Sequence, residues 1–297
     1  MALGIRDGVL MVGYGTVSNL DDLPEFLRRV RGGRPPGPDL LRDVRRRYQA
    51  IGGSPLLQNT QRQADALGRR LGVTVEVAMR AWHPTVEQVL GSSRIAGLER
   101  LCVLPMAPFN ANAYCRAVLE VMEALRAGAD APPALTCVGN WGRDRAFIAA
   151  HAAQIRAGAD VGPERAALVV TAHSLPLALG DVTERYRAEV LACAAELSVE
   201  LGWEATLCFQ SQGAGAGPWL GPDLHSTLES LATRSRRQVV VAPIGFLAEH
   251  LETLYDLDIE AARWAQELGL TMTRVAALGE RRELIEALAG LVSRALG

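Results

Sequence analysis

The chain has 297 residues, 49% hydrophobic and 22% charged, which suits one large α/β domain or two smaller ones and excludes a disordered chain. A net charge of −2, with acidic residues interleaved among many arginines, offers no field for nucleic acid. The apolar run at residues 8–13 is too short for a signal-peptide core, and nothing approaches a transmembrane helix in length, so a cytoplasmic protein is expected.

The first strand is predicted at residues 8–13. It is followed by Gly13-Tyr14-Gly15-Thr16, which puts an aromatic hydroxyl at the strand's carboxyl end. Arg31-Gly32-Gly33-Arg34-Pro35-Pro36-Gly37-Pro38 then reads as a stiff turn between two helices. Arg31, Arg34 and Arg47, with Tyr48, lie near turns and could hold ligand carboxylates, because guanidinium matches carboxylate geometry. The alternative for any one of these arginines is an ordinary surface charge.

Helical spacing of apolar residues follows at 56–71 and 84–98. Further short strand patterns are expected at 73–79, 100–106 and 135–139, then at 166–172, 205–210, 238–244 and 270–275. Strands alternating with helices, four in each half, predict two doubly wound α/β domains, each with a four-stranded parallel sheet flanked by helices. The expected limits are 1–142 and 143–278, with the C-terminal helical segment 279–297 folding back onto the first domain.

Two strand ends carry the most chemistry. His173 closes Val169-Val170-Thr171-Ala172-His173, and Glu252 follows the run that begins at Val241. Ligands bind at the carboxyl ends of the strands in open parallel sheets, so these two distant residues can meet. They read as a site for a divalent metal or for proton abstraction. The alternative for His173 is a core histidine bonded to backbone. For Glu252 it is a solvated helix start, where carboxylates favour the positive end of the dipole. On a helix, Glu249, Glu252 and Asp256 would share one acidic face.

Other motifs point away from rival chemistries. Ser174 has no G-x-S-x-G elbow around it, and the Gly-rich loop Gly213–217 lacks the Lys-Ser/Thr ending of a P-loop. The five cysteines form no CxxC pair; Cys102, Cys137 and Cys208 lie in apolar strand-like runs and are expected as buried thiols of a reducing cytosol.

Taken in order, several segments resemble the class I ferrochelatase family over nearly the whole chain. They are Gly13-Tyr14-Gly15-Thr16, Tyr48-Gln49-Ala50-Ile51-Gly52-Gly53-Ser54-Pro55-Leu56, Ala172-His173-Ser174-Leu175-Pro176, Gln210-Ser211-Gln212-Gly213, Pro218-Trp219-Leu220-Gly221-Pro222-Asp223 and residues 243–258. The resemblance implies two Rossmann-like domains with a porphyrin cleft between them, in agreement with four strands per half. It implies that His173 and Glu252 face the porphyrin centre, as catalytic groups and as ligands of the entering ferrous ion. The two are expected to converge from opposite walls of one crevice.

The Gly-Tyr-Gly-Thr turn and the Arg-rich turn after it are similar to the soluble branch that acts on coproporphyrin III. In that branch Tyr14 would approach the iron from the opposite face. Arg31, Arg47, Tyr48, Ser54 and Tyr114 would match propionate contacts. Three departures stand out: no residue separates Gly53 from Ser54, the loop from Pro105 to Tyr114 is short, and Val182 replaces the proline usual after Gly-Asp.

The C-terminal region lacks the extension and cysteines of cluster-bearing members, so no iron–sulfur centre or other cofactor is expected, and Fe²⁺ is a substrate. A porphyrin and the ferrous ion are the expected partners of a monomer. Protoporphyrin IX as substrate, a cobalt or nickel tetrapyrrole chelatase, and a non-catalytic tetrapyrrole carrier are the alternatives.

Overall fold

A computed structural model describes residues 3–126, 132–213, 217–234 and 237–297. Residues 214–216 of the Gly-rich loop lie outside the described residues.

The chain divides into two compact units. The first comprises Met1–Arg46, Gly53–Trp141 and Gly279–Gly297; the second comprises Arg47–Gly52 and Gly142–Leu278. Residues 47–52, expected in the first domain, therefore group with the second, and the C-terminal segment groups with the first.

The first unit is built on strands β1 (Asp7–Gly13), β2 (Thr74–Met79), β3 (Arg100–Pro105) and β4 (Ala134–Cys137). Its helices are α1 (Leu23–Val30), α2 (Pro38–Ala50, which runs on into residues of the second unit), α3 (Leu56–Leu71), α4 (Val86–Leu90) and α5 (Ala111–Arg126). The second unit holds α6 (Arg145–Gly158), β5 (Ala166–His173), α7 (Asp181–Leu201), β6 (Ala205–Gln210), α8 (Leu224–Ala232), β7 (Gln238–Ala242), α9 (Leu251–Leu254), a π-helical turn Asp256–Ala261, α10 (Ala262–Glu267) and β8 (Thr271–Arg274). The C-terminal helix α11 (Arg282–Leu296) completes the first unit.

Each sheet has four parallel strands, in the orders β2-β1-β3-β4 and β6-β5-β7-β8. The second order repeats the first, strand for strand. β1 is buried along its whole length, as a central strand covered on both faces must be. Asp7 tolerates that burial because Arg100 on β3 donates two hydrogen bonds of 2.7 Å to its carboxylate. This contact is the main reason the Asp7 carboxyl sits below its ordinary range.

In the first core Leu10, Val12 and Val103 pack against Val118 and Met122 of α5. The second core sets Val169, Val239 and Val241 against Leu224, Leu228 and Leu231 of α8. The C-terminal helix is tied to α3 by Arg70–Glu286 at 2.7 Å. Just ahead of it, the Gly279 carbonyl accepts from Gln63 at 2.7 Å.

Two of the elements that are shorter than their apolar spacing suggested end for a clear local reason. The helix expected at 84–98 is only Val86–Leu90. Thr85 caps its start by accepting from the Gln88 amide, and Gly91 follows at its C-terminal end. The strand expected at 238–244 stops at Ala242 because Pro243 has no N–H to give the ladder.

His151 on α6 is buried at 4% exposure, edge-on to Phe147 with ring centroids 4.5 Å apart. Its Nε2 has no hydrogen-bond partner. Burial alone pushes its pKa down to about 3. The unfolded chain therefore takes up the proton first, and stability present above about pH 6.5 is lost as pH falls toward 3. In His151→Leu the stability difference between pH 7 and pH 5, measured by urea titration, should shrink by roughly 2 kcal/mol. An unchanged difference would remove His151 as the source of that acid sensitivity.

Candidate active site

The carboxyl edge of the second sheet is where the two candidate residues meet. His173 is the last residue of β5, in register with Gln210 at the end of β6. The chain leaving β7 turns back over β5, and the Gly245 amide donates to the Thr171 carbonyl at 3.0 Å. A Cβ on Gly245 would lie 2.8 Å from both Cα and Cβ of Ala172, so only glycine allows the crossing. That crossing delivers α9, with Glu252 in its first turn, to the end of β5.

The His173 Nδ1 and Glu252 Oε2 are 3.1 Å apart. The two side chains are therefore one bonded pair, not groups on opposite walls as expected. They are 36% and 34% exposed, so the pair is open on one side. With Nδ1 committed to the carboxylate, His173 keeps Nε2 for a metal or a proton.

His250, which sequence reasoning did not select, adds a second imidazole. Its Nε2 stands 3.6 Å from the same Glu252 oxygen, an ion-pair distance. Its Nδ1 lies 3.0 Å from the Ala248 carbonyl oxygen, and a carbonyl can only accept, so that nitrogen carries a proton. The signal was present in the sequence as His-x-Glu, two residues before the chosen acid.

Charge separates the two acids of this wall. Burial pushes the Glu252 carboxyl up, but the charges of His173 and His250 outweigh it and hold Glu252 well below the carboxylate range. Burial pushes His173 down, yet its attraction to Glu252 prevails and leaves it raised. Asp256, one turn beyond Glu252, goes the other way, raised to about 7 chiefly by burial and also by the Glu252 charge. Ser211 donates to Asp256 at 2.5 Å from a left-handed backbone with φ of 59°. Gln210 donates to the Glu252 carbonyl at 2.9 Å, and the Tyr186 hydroxyl to the His173 carbonyl at 2.9 Å.

Glu249 does not join the acidic face. It precedes α9 and pairs with Arg274 at 2.5 Å, accepting also from the Ala277 amide. The face breaks because the helix begins only at Leu251 and widens into the π-helical turn, where Glu260 bonds back five residues to Tyr255 at 3.0 Å.

The other candidates are spread more widely. Arg47 stands with the second unit, 3.3 Å from Asp256 and 3.8 Å from Glu260, over the ring of Tyr255. Tyr48 is buried at 3% exposure. In the first unit, Tyr14 lines a cavity of about 470 Å³ together with Arg28, Arg29 and Arg80. Arg31 is not among its lining residues, and its buried Nε has no partner. Tyr114 lies under the Arg80 guanidinium, 5.4 Å from ring centre to Cζ. Ser54 is buried, with an unpartnered hydroxyl. The local basic cluster is therefore Arg28 and Arg29 of α1 with Arg80, which only the fold brings to them.

Among the described residues, no group of three or more His, Cys, Asp or Glu side chains is set to hold a metal ion. Also among the described residues, no helix is long and apolar enough to cross a membrane.

Because Asp256 keeps its proton to about pH 7 while an unfolded aspartate releases it near about pH 4, folding stability falls as pH rises between them. Asp256→Asn should lose that slope, gaining on the parent by about 1 kcal/mol per pH unit across the window in chemical denaturation. Parallel stability curves for parent and variant would show that Asp256 is ionised throughout.

The family model described as Ferrochelatase matches residues 6–296. A ferrochelatase of Acidobacterium capsulatum is 33% identical, with 98% of this chain and 95% of that protein covered. A coproporphyrin III ferrochelatase of Propionibacterium freudenreichii is 34% identical over 98% of this chain and 87% of its own length. Among solved structures, SirB from Bacillus subtilis with Fe³⁺ shares the fold at a TM-score of 0.65 and 16% identity, with 98% and 96% of the two chains covered. With a family match along nearly its full length and relatives at this identity, the chain belongs to the ferrochelatase family of metal chelatases, which are lyases.

Proposed function

We propose that the chain inserts Fe²⁺ into coproporphyrin III, with loss of the two pyrrole protons, to give coproheme for haem biosynthesis in the cytoplasm. The observation that carries this reading is the His173–Glu252 pair at 3.1 Å, open to solvent and backed by His250. A free-base porphyrin holds two hydrogens at its centre, so a metal can enter only as protons leave. Imidazole Nε2 is a borderline ligand that can accept a ferrous ion from water and release it again. The carboxylate behind it fixes the ring and raises its basicity.

Proton release needs acceptors matched to neutral pH. Glu252, held low by its imidazoles, is a weak base. His173, raised by its attraction to Glu252, and Asp256, raised to about 7, are the stronger bases beside it. Strain in the bound macrocycle would tip a pyrrole nitrogen toward the metal, with binding energy from its periphery offsetting the distortion.

The preference for coproporphyrin III rests on carboxylate count. It carries more carboxylates than protoporphyrin, and the Tyr14 cavity presents three guanidiniums. Glu25 accepts hydrogen bonds from both Arg28 and Arg29, which leaves a positive excess at the cavity. The relative from Propionibacterium freudenreichii, named for this substrate, supports the same reading. We take the chain to work as a monomer and to need no resident cofactor.

His173→Ala and Glu252→Gln should each lower the rate of anaerobic Fe²⁺ insertion by about 100-fold or more, while fluorescence-quenching titration finds porphyrin affinity within a few fold of the parent. Insertion at the parent rate in both variants would leave the pair without a role. Arg80→Ala should weaken coproporphyrin III binding by about tenfold, the size of a lost charge-assisted contact, with a smaller effect on protoporphyrin IX. A parent enzyme that turns over protoporphyrin IX faster, indifferent to Arg80, would reverse the substrate assignment.

A further inference from the structure

All five cysteines are free, and they fall into two classes. Cys102, Cys193 and Cys208 are fully buried. Burial pushes the Cys102 and Cys193 thiols up to about 12 and Cys208 further in the same direction. Thiols in that setting are inert. Cys115 and Cys137 differ because they lie together and one of them reaches the surface.

Cys137 ends β4, an edge strand that pairs only with β3, and it is half-buried rather than enclosed as its apolar run suggested. Cys115 stands near the start of α5, in the apolar cluster against which Cys137 packs. Its Sγ donates to the carbonyl of Val138, the residue after Cys137, at 3.5 Å. The neighbouring thiol holds Cys137 below an ordinary thiol and pushes Cys115 up. The accessible member is therefore the better nucleophile, and the sheltered member sits directly behind it.

We propose that Cys115 and Cys137 are a redox modification site, which closes to an intramolecular disulfide when the protein meets a small-molecule disulfide. The Cys137 thiolate attacks one sulfur of the oxidant, forming a mixed disulfide and expelling the other half as thiolate. Cys115 gives its proton to solvent and attacks the Cys137 sulfur, displacing the second half. Two protein thiols lose two electrons and two protons, and the oxidant becomes two thiols. Closure to the roughly 2.05 Å of a disulfide draws the first turns of α5 toward β4. Tyr114, with Arg80 over its ring, is on that turn.

The test is to incubate the folded, full-length protein with oxidised glutathione, block free thiols, and map linkages by mass spectrometry without reduction. The expected product is a peptide pair joined through Cys115 and Cys137, two hydrogens lighter and restored by dithiothreitol. It should form at least about tenfold faster than any modification of Cys102, Cys193 or Cys208. Cys115→Ser should stop at glutathione on Cys137, and Cys137→Ser should leave Cys115 unreacted. A parent protein that accumulates only the mixed disulfide, links Cys102 instead, or stays fully reduced overturns the proposal, as does a Cys115 that reacts equally fast without Cys137.

Discussion

The hydrogen bond between His173 and Glu252 depends on one close backbone crossing. The chain leaving β7 must pass over β5 at van der Waals distance to bring the first turn of α9 to the end of the neighbouring strand. Gly245 is the residue at that crossing, and any side chain there would collide with Ala172. Everything further along, from His250 through Glu252 to the π-helical turn, is placed by that approach. Parallel pairing of β5 with both β6 and β7 supplies the rest, because it sends three strand ends to one edge of the sheet.

At that edge two carboxylates of the same short helical segment acquire opposite character. Glu252 faces two imidazoles and stays ionised. Asp256 is buried against a serine hydroxyl, with Arg47 as its counter-charge, and takes up a proton near neutrality. Neighbours, not residue type, decide which acid holds charge and which holds a proton. The left-handed backbone at Ser211 shows that the loop is held in a conformation a non-glycine residue adopts at a cost, and the hydroxyl it presents to Asp256 is the return.

The first unit contributes a different chemistry on the same scaffold. Its strand order repeats that of the second, but the residues around the Tyr14 cavity bring guanidiniums and a phenol in place of imidazole and carboxylate. One topology thus carries two different sets of side chains.

The periodic features were legible in the sequence. Short β-branched runs alternating with amphipathic stretches are local patterns, so eight strands and both sheets could be read from them. His173 and Glu252 were visible because each follows such a run abruptly. What was not legible was the partner of each side chain. The direct bond between His173 and Glu252, the turning of Glu249 to Arg274, and the pairing of Arg47 with Asp256 join residues up to 209 positions apart. Arg31 was chosen as an arginine near a turn, whereas the cavity beside Tyr14 is lined by Arg28, Arg29 and Arg80. Local order follows from backbone sterics and side-chain periodicity, which the sequence by itself determined for the strands, the main helices and the family. Ionisation, access and pairing depend on distances across the sheet edge, and those only the tertiary structure decided, because electrostatic and hydrogen-bond energies are set by separation in space and not along the chain.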